Sequence, residues 1–257
     1  MKRLLAIIIC SALLSLVGCV QSPSKGEPDA TESQAMERAR VHTELARAYY
    51  GAGQYAVALE EAQTALEAKR DYLPAVNQLG LIYLALGKME DAQRELKRAI
   101  RIDPDDPSIN NNYGMLLCTM GDAKEAMRYF EKALADPLYR TPEYAYVNAG
   151  TCLKNQGDDE RAEQFLRRAL AVSPNLPQAL YQMADLQYKN HEYQSAQYYI
   201  TRHLQNVVPG PDALWLAARI EKRLGNIVAV ESYGAQLNRR FPESTQTRAF
   251  NQGLFSE

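Results

Sequence analysis

The sequence is poor in the residues from which catalytic centres are most often built. Of its 257 residues three are histidine, four cysteine and one tryptophan. His42, His191 and His203 stand far apart, and none has a metal-ligand spacing to another histidine or to a cysteine. No cysteine lies beside a plausible base, and no glycine-rich phosphate loop occurs. The acidic cluster Asp103, Asp105 and Asp106 surrounds prolines and reads as a helix cap, not as paired catalytic carboxylates. These absences argue against an enzyme, a metal, a cofactor and a small-molecule substrate. A charge of one sign is missing too: the formal net charge is -2, so no nucleic acid is expected as a partner. An apolar fraction of 46% with 23% charged residues is that of a soluble globular protein with a substantial core.

What is present begins with MKRLLAIIICSALLSLVGCVQSPS. Lys2 and Arg3 precede an apolar run from Leu4 to Val17, which ends on the small residue Gly18. These are the three parts of a secretory signal, over residues 1–18. About 14 residues at ~1.5 Å each reach roughly 21 Å, short of the ~30 Å hydrocarbon core, so the run reads as a cleaved signal. Leu16-Val17-Gly18-Cys19 resembles the lipobox of bacterial lipoproteins. That resemblance implies that the Cys19 thiol receives a diacylglycerol and, after cleavage, becomes an acylated N-terminus held at a membrane by covalent lipid. Cys10 lies mid-run and reads as an apolar filler lost with the signal. Residues 19–35 have almost no apolar content and are rich in Pro, Ser, Glu and Asp. They read as a flexible tether with a root-mean-square reach of about 20 Å.

From Met36 onward the chain is rich in Ala, Leu, Glu, Gln and Arg, without an alternating strand pattern. The decisive signal is self-similarity. Ala46, Gly80, Gly114, Gly150, Ala184 and Ala218 recur at spacings of 34, 34, 36, 34 and 34 residues. Twelve residues after each come Ala58, Ala92, Ala126, Ala162, Ala196 and Val230. Between them lies a turn carrying Gly53, Gly87, Gly121, Gly157 and Gly225, as a left-handed cap requires. The fifth turn has His191, a residue that tolerates this conformation better than most. The pattern resembles the tetratricopeptide repeat, most clearly in LGLIYLALGKMEDAQRELKRAIRIDPDD. That resemblance implies an all-α fold, a right-handed superhelical solenoid of six repeats over about residues 39–242 with a C-terminal capping helix, so that residues 36–257 form one domain. Leu45, Leu79, Tyr113 and Met183, with Leu96, Phe130, Leu166 and Ile200, are expected to fill the layers between helices. Phe250 and Leu254 are expected to turn inward from the cap. Glu221 and Gly234 stand where large core residues are usual and mark the sixth repeat as irregular.

In a solenoid of this kind the first helix of each repeat lines a concave groove. Its expected contact residues are Arg47 and Tyr50, then Asn77 and Leu81, then Asn111 and Met115. The later repeats add Tyr144, Tyr181, Tyr188 and Trp215. Aromatics and amides with few charges suit a peptide-binding surface. Tyr181, Tyr188 and Trp215 could equally close the junction between the last two repeats. Cys118 and Cys152 lie 34 residues apart on neighbouring first helices. In an exported chain they are either a disulfide or two buried thiols.

The stretch SINNNYGMLLCTMGDAKEAMRYFEKALADPLYRTPEYAYVNAGTCLKNQGD lengthens the repeat by two residues around Asp136 to Thr141 and carries the cysteine pair. It resembles the type IV pilus biogenesis lipoproteins of the PilF/PilW type, the pilotins of the pilus secretin. The resemblance implies an outer-membrane lipoprotein facing the periplasm that binds pilus secretin subunits and promotes their localisation and multimerisation. Pilus assembly and twitching motility would depend on it. Val20, after Cys19, is not the aspartate that commonly retains lipoproteins in the inner membrane. Two other roles fit the same architecture: a scaffold of the outer-membrane barrel-assembly machinery, and an adaptor regulating peptidoglycan enzymes.

Overall fold

Two helices of one repeat must cross closely, and the residue at the crossing decides whether they can. The computed structural model describes residues 30–255, which form thirteen α-helices and no strand. They pair as α1 (Ala30–Gly51) with α2 (Tyr55–Ala68), α3 (Leu73–Ala85) with α4 (Met89–Ile102), and α5 (Pro107–Thr119) with α6 (Ala123–Leu134). The series continues with α7 (Pro142–Asn155) and α8 (Asp159–Val172), α9 (Pro177–Lys189) and α10 (Tyr193–Asn206), and α11 (Pro211–Leu224) and α12 (Ile227–Arg240). A short α13 (Thr245–Asn251) ends it. Six helical hairpins and a cap make a helical solenoid of tetratricopeptide type.

At three crossings the first helix has no side chain at all. A Cβ on Gly80 would lie 2.6 Å from Leu96 Cγ, on Gly114 2.8 Å from Phe130 Cε1, and on Gly150 2.8 Å from Leu166 Cγ. Leu96, Phe130 and Leu166 therefore seat directly on helix backbone, and all three are fully buried. Ala46, Ala184 and Ala218 take the same place in the other repeats and are also fully buried. Each hairpin then turns on a left-handed residue. The five expected glycines have φ between 71° and 88°, and His191, at 62°, is the one non-glycine with positive φ among the described residues. Its Nδ1 is 2.9 Å from the Tyr193 hydroxyl.

Successive first helices touch one another, α1 with α3, α3 with α5, and so on to α9 with α11. Among the described residues no contact joins successive second helices. The first helices therefore lie on the inside of the curve. Outside, a basic side chain on the second helix reaches back to a carbonyl at the end of the preceding hairpin. Arg98 donates to the Arg70 carbonyl, Lys132 to that of Pro104 at 2.7 Å, and Arg202 to that of Pro174 at 2.5 Å. These bonds satisfy carbonyls that would otherwise be left at chain exits.

The ends of the solenoid depart from the sequence expectation. Residues 30–35 belong to α1, not to the tether. Glu32 favours helix near an N-terminus and pairs with Lys69 of the first hairpin at 2.7 Å, so a partner distant in sequence orders a polar stretch. Leu45 is 39% exposed, unlike Leu79, Tyr113 and Met183, because among the described residues no repeat precedes α1 to cover it. At Gly234 the space of the usual large residue is taken by the ring of Phe250 from α13; a Cβ there would fall within the ring. Leu254 does not turn inward and is 55% exposed. α13 ends at Asn251 and Gly253 turns the chain with φ 69°, so Phe255 packs back instead, its ring 5.1 Å from that of Trp215. Buried Glu221 is satisfied: its two carboxylate oxygens accept from Gln197 Nε2 and Asn226 Nδ2, each at 2.9 Å.

The crossings predict opposite outcomes for two alanine substitutions, measured by chemical denaturation. Gly114→Ala should destabilise by about 1–3 kcal/mol, since the new methyl meets Phe130 in a packed layer. Gly51→Ala, at the end of α1 with nothing within 4 Å, should be neutral or stabilising by up to ~1 kcal/mol.

Candidate partner-binding groove

The inner helices bring side-chain amides together across three repeats. Asn112 Nδ2 donates to Asn77 Oδ1 at 3.0 Å, Asn111 Nδ2 to Asn112 Oδ1 at 3.2 Å, and Asn148 Nδ2 to Asn111 Oδ1 at 3.0 Å. The result is a ladder running from α3 through α5 to α7. Asn77 and Asn111 were expected on this face; Asn112 and Asn148 were not. The missed pair had a visible signal. Gln78, Asn112, Asn148 and Gln182 are amides at one repeat position, spaced by 34, 36 and 34 residues. A search for residues on a single outward helical face passes over them, because they point sideways to the preceding first helix. Gln182 continues the pattern, its Oε1 accepting from Lys154 Nζ at 2.6 Å, while Lys154 is also paired with Asp185.

Around the ladder, Leu81 and Met115 are half-buried, Arg47 and Tyr144 are exposed, and Tyr50 lies with its ring 5.5 Å from that of Tyr55. The other aromatics close joints. Tyr188 is 8% exposed, with the Arg219 guanidinium 4.4 Å from its ring centre. Tyr181 packs 5.6 Å from the His203 ring, and Trp215 packs against Phe250 and Phe255. Tyr188 is thus buried in the junction between the last two repeats, and Trp215, half-buried, packs against the cap. Burial, and then the carboxylates of Asp185 and Asp212, push the Tyr181 phenol up to about 12. Burial likewise raises Tyr50, Tyr113, Tyr139 and Tyr233.

Cys118 of α5 and Cys152 of α7 are joined by a disulfide, with their Cα atoms 5.7 Å apart. It joins the C-terminal parts of these two helices, while the turn before α7 is the one in which the repeat is two residues longer. In that longer turn Leu138 is 83% exposed, while Tyr139 packs among Ala133 and Ala145. The bond thus ties together the two helices that carry Asn111, Asn112 and Asn148. Residues 1–29, on which the expected signal, Cys19 and most of the expected tether fall, lie outside the described residues. No described helix is long and apolar enough to cross a membrane.

Tetratricopeptide repeat families match residues 49–116, 111–136 and 143–176. The fold superposes on PilW, a widely conserved type IV pilus biogenesis factor, with a TM-score of 0.71 and 35% identity, covering 82% of this chain and 97% of that one. The chain belongs to the PilF/PilW family of type IV pilus biogenesis proteins. The structure of PilF from Pseudomonas aeruginosa matches with a TM-score of 0.69 and 25% identity, covering 86% of this chain and 99% of that one. The type IV pilus assembly protein PilF of the same organism is 29% identical over 119 residues, which are 46% of this chain and about half, 47%, of that relative.

Two measurements follow for this PilF/PilW-family fold. Reducing the disulfide, or replacing both cysteines by alanine, removes a cross-link over 34 residues and should lower the unfolding free energy by about 3–4 kcal/mol. Alkaline stability should follow the tyrosines. Their raised folded values favour the protonated phenol, so the contribution is fully present below the ordinary tyrosine value of about 10 and is lost as pH rises toward about 12. Thermal midpoints measured across that window should fall, and Tyr181→Phe should make the fall shallower.

Proposed function

We propose that this chain is a pilotin of the type IV pilus secretin, anchored to the inner leaflet of the outer membrane through lipid on Cys19. The single observation that carries the reading is a concave face of amides and apolar side chains on a fold that belongs to the PilF/PilW family. In this reading the groove of the first four repeats binds secretin subunits in the periplasm and the lipid carries them to the membrane. Tethering several bound subunits to one surface raises their effective concentration and so promotes multimerisation. The protein acts by binding, without a catalytic step or a cofactor beyond the covalent lipid. The barrel-assembly and peptidoglycan readings draw on the signal and the repeats alone, whereas the similarity to PilW extends over 97% of that protein's chain.

A Cys19→Ala variant in the native host tests the mechanism. Secretin multimers in the outer-membrane fraction and twitching should both be lost while the variant accumulates unlipidated. Multimers reaching the outer membrane in normal amount would sink the proposal. General envelope failure in a deletion strain, with secretin assembly intact until growth stops, would instead favour a role in barrel assembly.

A further inference from the structure

The loops that join one hairpin to the next lie side by side along one edge of the solenoid. Bonds between neighbouring repeats fix them there: Arg98 reaches the carbonyl of Arg70, Lys132 that of Pro104, Arg202 that of Pro174, and Arg240 that of Pro209 at 2.9 Å. Three successive positions on this edge each hold one aliphatic side chain in water. Leu138, between α6 and α7, is 83% exposed; Val172, the last residue of α8, is 51% exposed; Val208, between α10 and α11, is 85% exposed. Leu138 and Val208 are the two most exposed large apolar side chains among the described residues.

Each is held by its surroundings. The Leu138 amide donates to Asp136 Oδ1 at 2.8 Å, and Tyr139 beside it is buried. Ser173, next to Val172, donates its amide to the Ala169 carbonyl at 2.8 Å, and Pro209, next to Val208, is the residue whose carbonyl Arg240 holds. Charge separates this edge from the opposite one. Residues 169–180, around Val172, and 204–211, around Val208, contain no ionisable side chain, and the loop of Leu138 has one charge of each sign, Asp136 and Arg140. On the opposite edge, where first helices turn into second ones, the second to fifth hairpins carry Asp91, Asp122, Asp158 and Glu192, carboxylates that an anionic headgroup would repel. The chain also enters α1 on the edge of the aliphatic loops, at Ala30, eleven positions after Cys19, a stretch that spans at most ~40 Å.

We infer that this edge, through Leu138, Val172 and Val208, rests in the interfacial layer of the bilayer to which the chain is anchored. The inference rests on the proposed lipid at Cys19 and adds a second, non-covalent contact with the same membrane. Single aliphatic tips on successive loops, roughly a helix spacing of ~8–10 Å apart, do not make the contiguous apolar core that a protein interface uses. A fluid apolar phase takes each tip independently, and the gain grows with the area withdrawn from water. Held by lipid ahead of α1 and by loops of the later repeats, the solenoid cannot swing freely on its anchor, and its inner face keeps one aspect toward the membrane.

The test places an environment-sensitive fluorophore on Leu138→Cys, Val172→Cys or Val208→Cys in the full chain, bound to vesicles of phosphatidylethanolamine and phosphatidylglycerol. Leu86→Cys and Val228→Cys, exposed on the opposite edge, are the controls. Emission from the three loop sites should shift to the blue and be quenched at least twofold by spin-labelled acyl chains, with the controls unchanged. Leu138→Ser/Val172→Ser should leave the thermal midpoint unchanged, since both side chains are exposed, yet at least halve the quenching of the label carried by Val208→Cys. Loop sites that stay in water on vesicles overturn the inference. So does a blue shift in the Cys19→Ala chain without vesicles that grows with protein concentration, which assigns the loops to a second copy, or one that appears only with purified secretin, which assigns them to that partner. Acylation of Cys19 is read separately, from the mass of the N-terminal peptide. Its absence removes the anchor, and quenching at the loops on the same vesicles still decides the edge.

Discussion

In the central repeats a large side chain of the second helix sits on bare backbone of the first. Leu96 on Gly80, Phe130 on Gly114 and Leu166 on Gly150 allow no atom between them. The helices of a hairpin are thereby drawn together more closely than ordinary side chains would permit, and the hairpin becomes a nearly rigid unit. Stacking such units puts the first helices in mutual contact and keeps the second helices apart, so the solenoid must curve. The inner face, its amide ladder and the disulfide between α5 and α7 are consequences of that contact.

The ends of the solenoid obey the same constraint by other means. At the C-terminal end the second helix supplies no large residue, because Gly234 stands in its place. Phe250 supplies the missing ring from α13, and Trp215 and Phe255 pack around it. At the N-terminal end no preceding hairpin exists among the described residues, and Met36, Val41 and Leu45 of α1 remain exposed. The two extra residues between the third and fourth repeats are accommodated in the turn before α7, where Tyr139 is buried against Ala133 and Ala145.

The groove combines two kinds of surface with different physical demands. Its earlier repeats keep Asn77, Asn112, Asn148, Leu81 and Met115 partly open, around a buried Asn111 whose nitrogen and oxygen are both hydrogen-bonded. Its last two repeats are closed by stacked aromatics, with Arg219 over Tyr188 and His203 beside Tyr181. A groove that is open at one end and filled at the other has a direction. The open end is that of α1, the first described helix.

Much of this was legible in the one-dimensional pattern. The 34-residue recurrence of small residues, the turn glycines and His191 specified six hairpins, because close crossings and left-handed turns demand particular residues wherever they occur. The ladder was half legible: Asn77 and Asn111 fall on the expected outward face, whereas Asn112 and Asn148 act sideways between helices, and their partners lie 35 and 37 residues away. Helix for residues 30–35, the exposure of Leu45 and the inward turn of Phe255 in place of Leu254 were not legible at all. By itself the sequence determined the repeat, its count and its inner helices, since local backbone needs are written residue by residue. Only the tertiary structure decided which amides join, which aromatics are already spent on joints, and which donor, Gln78 Nε2, is left without a partner, because those outcomes depend on what the neighbouring repeat presents across the gap.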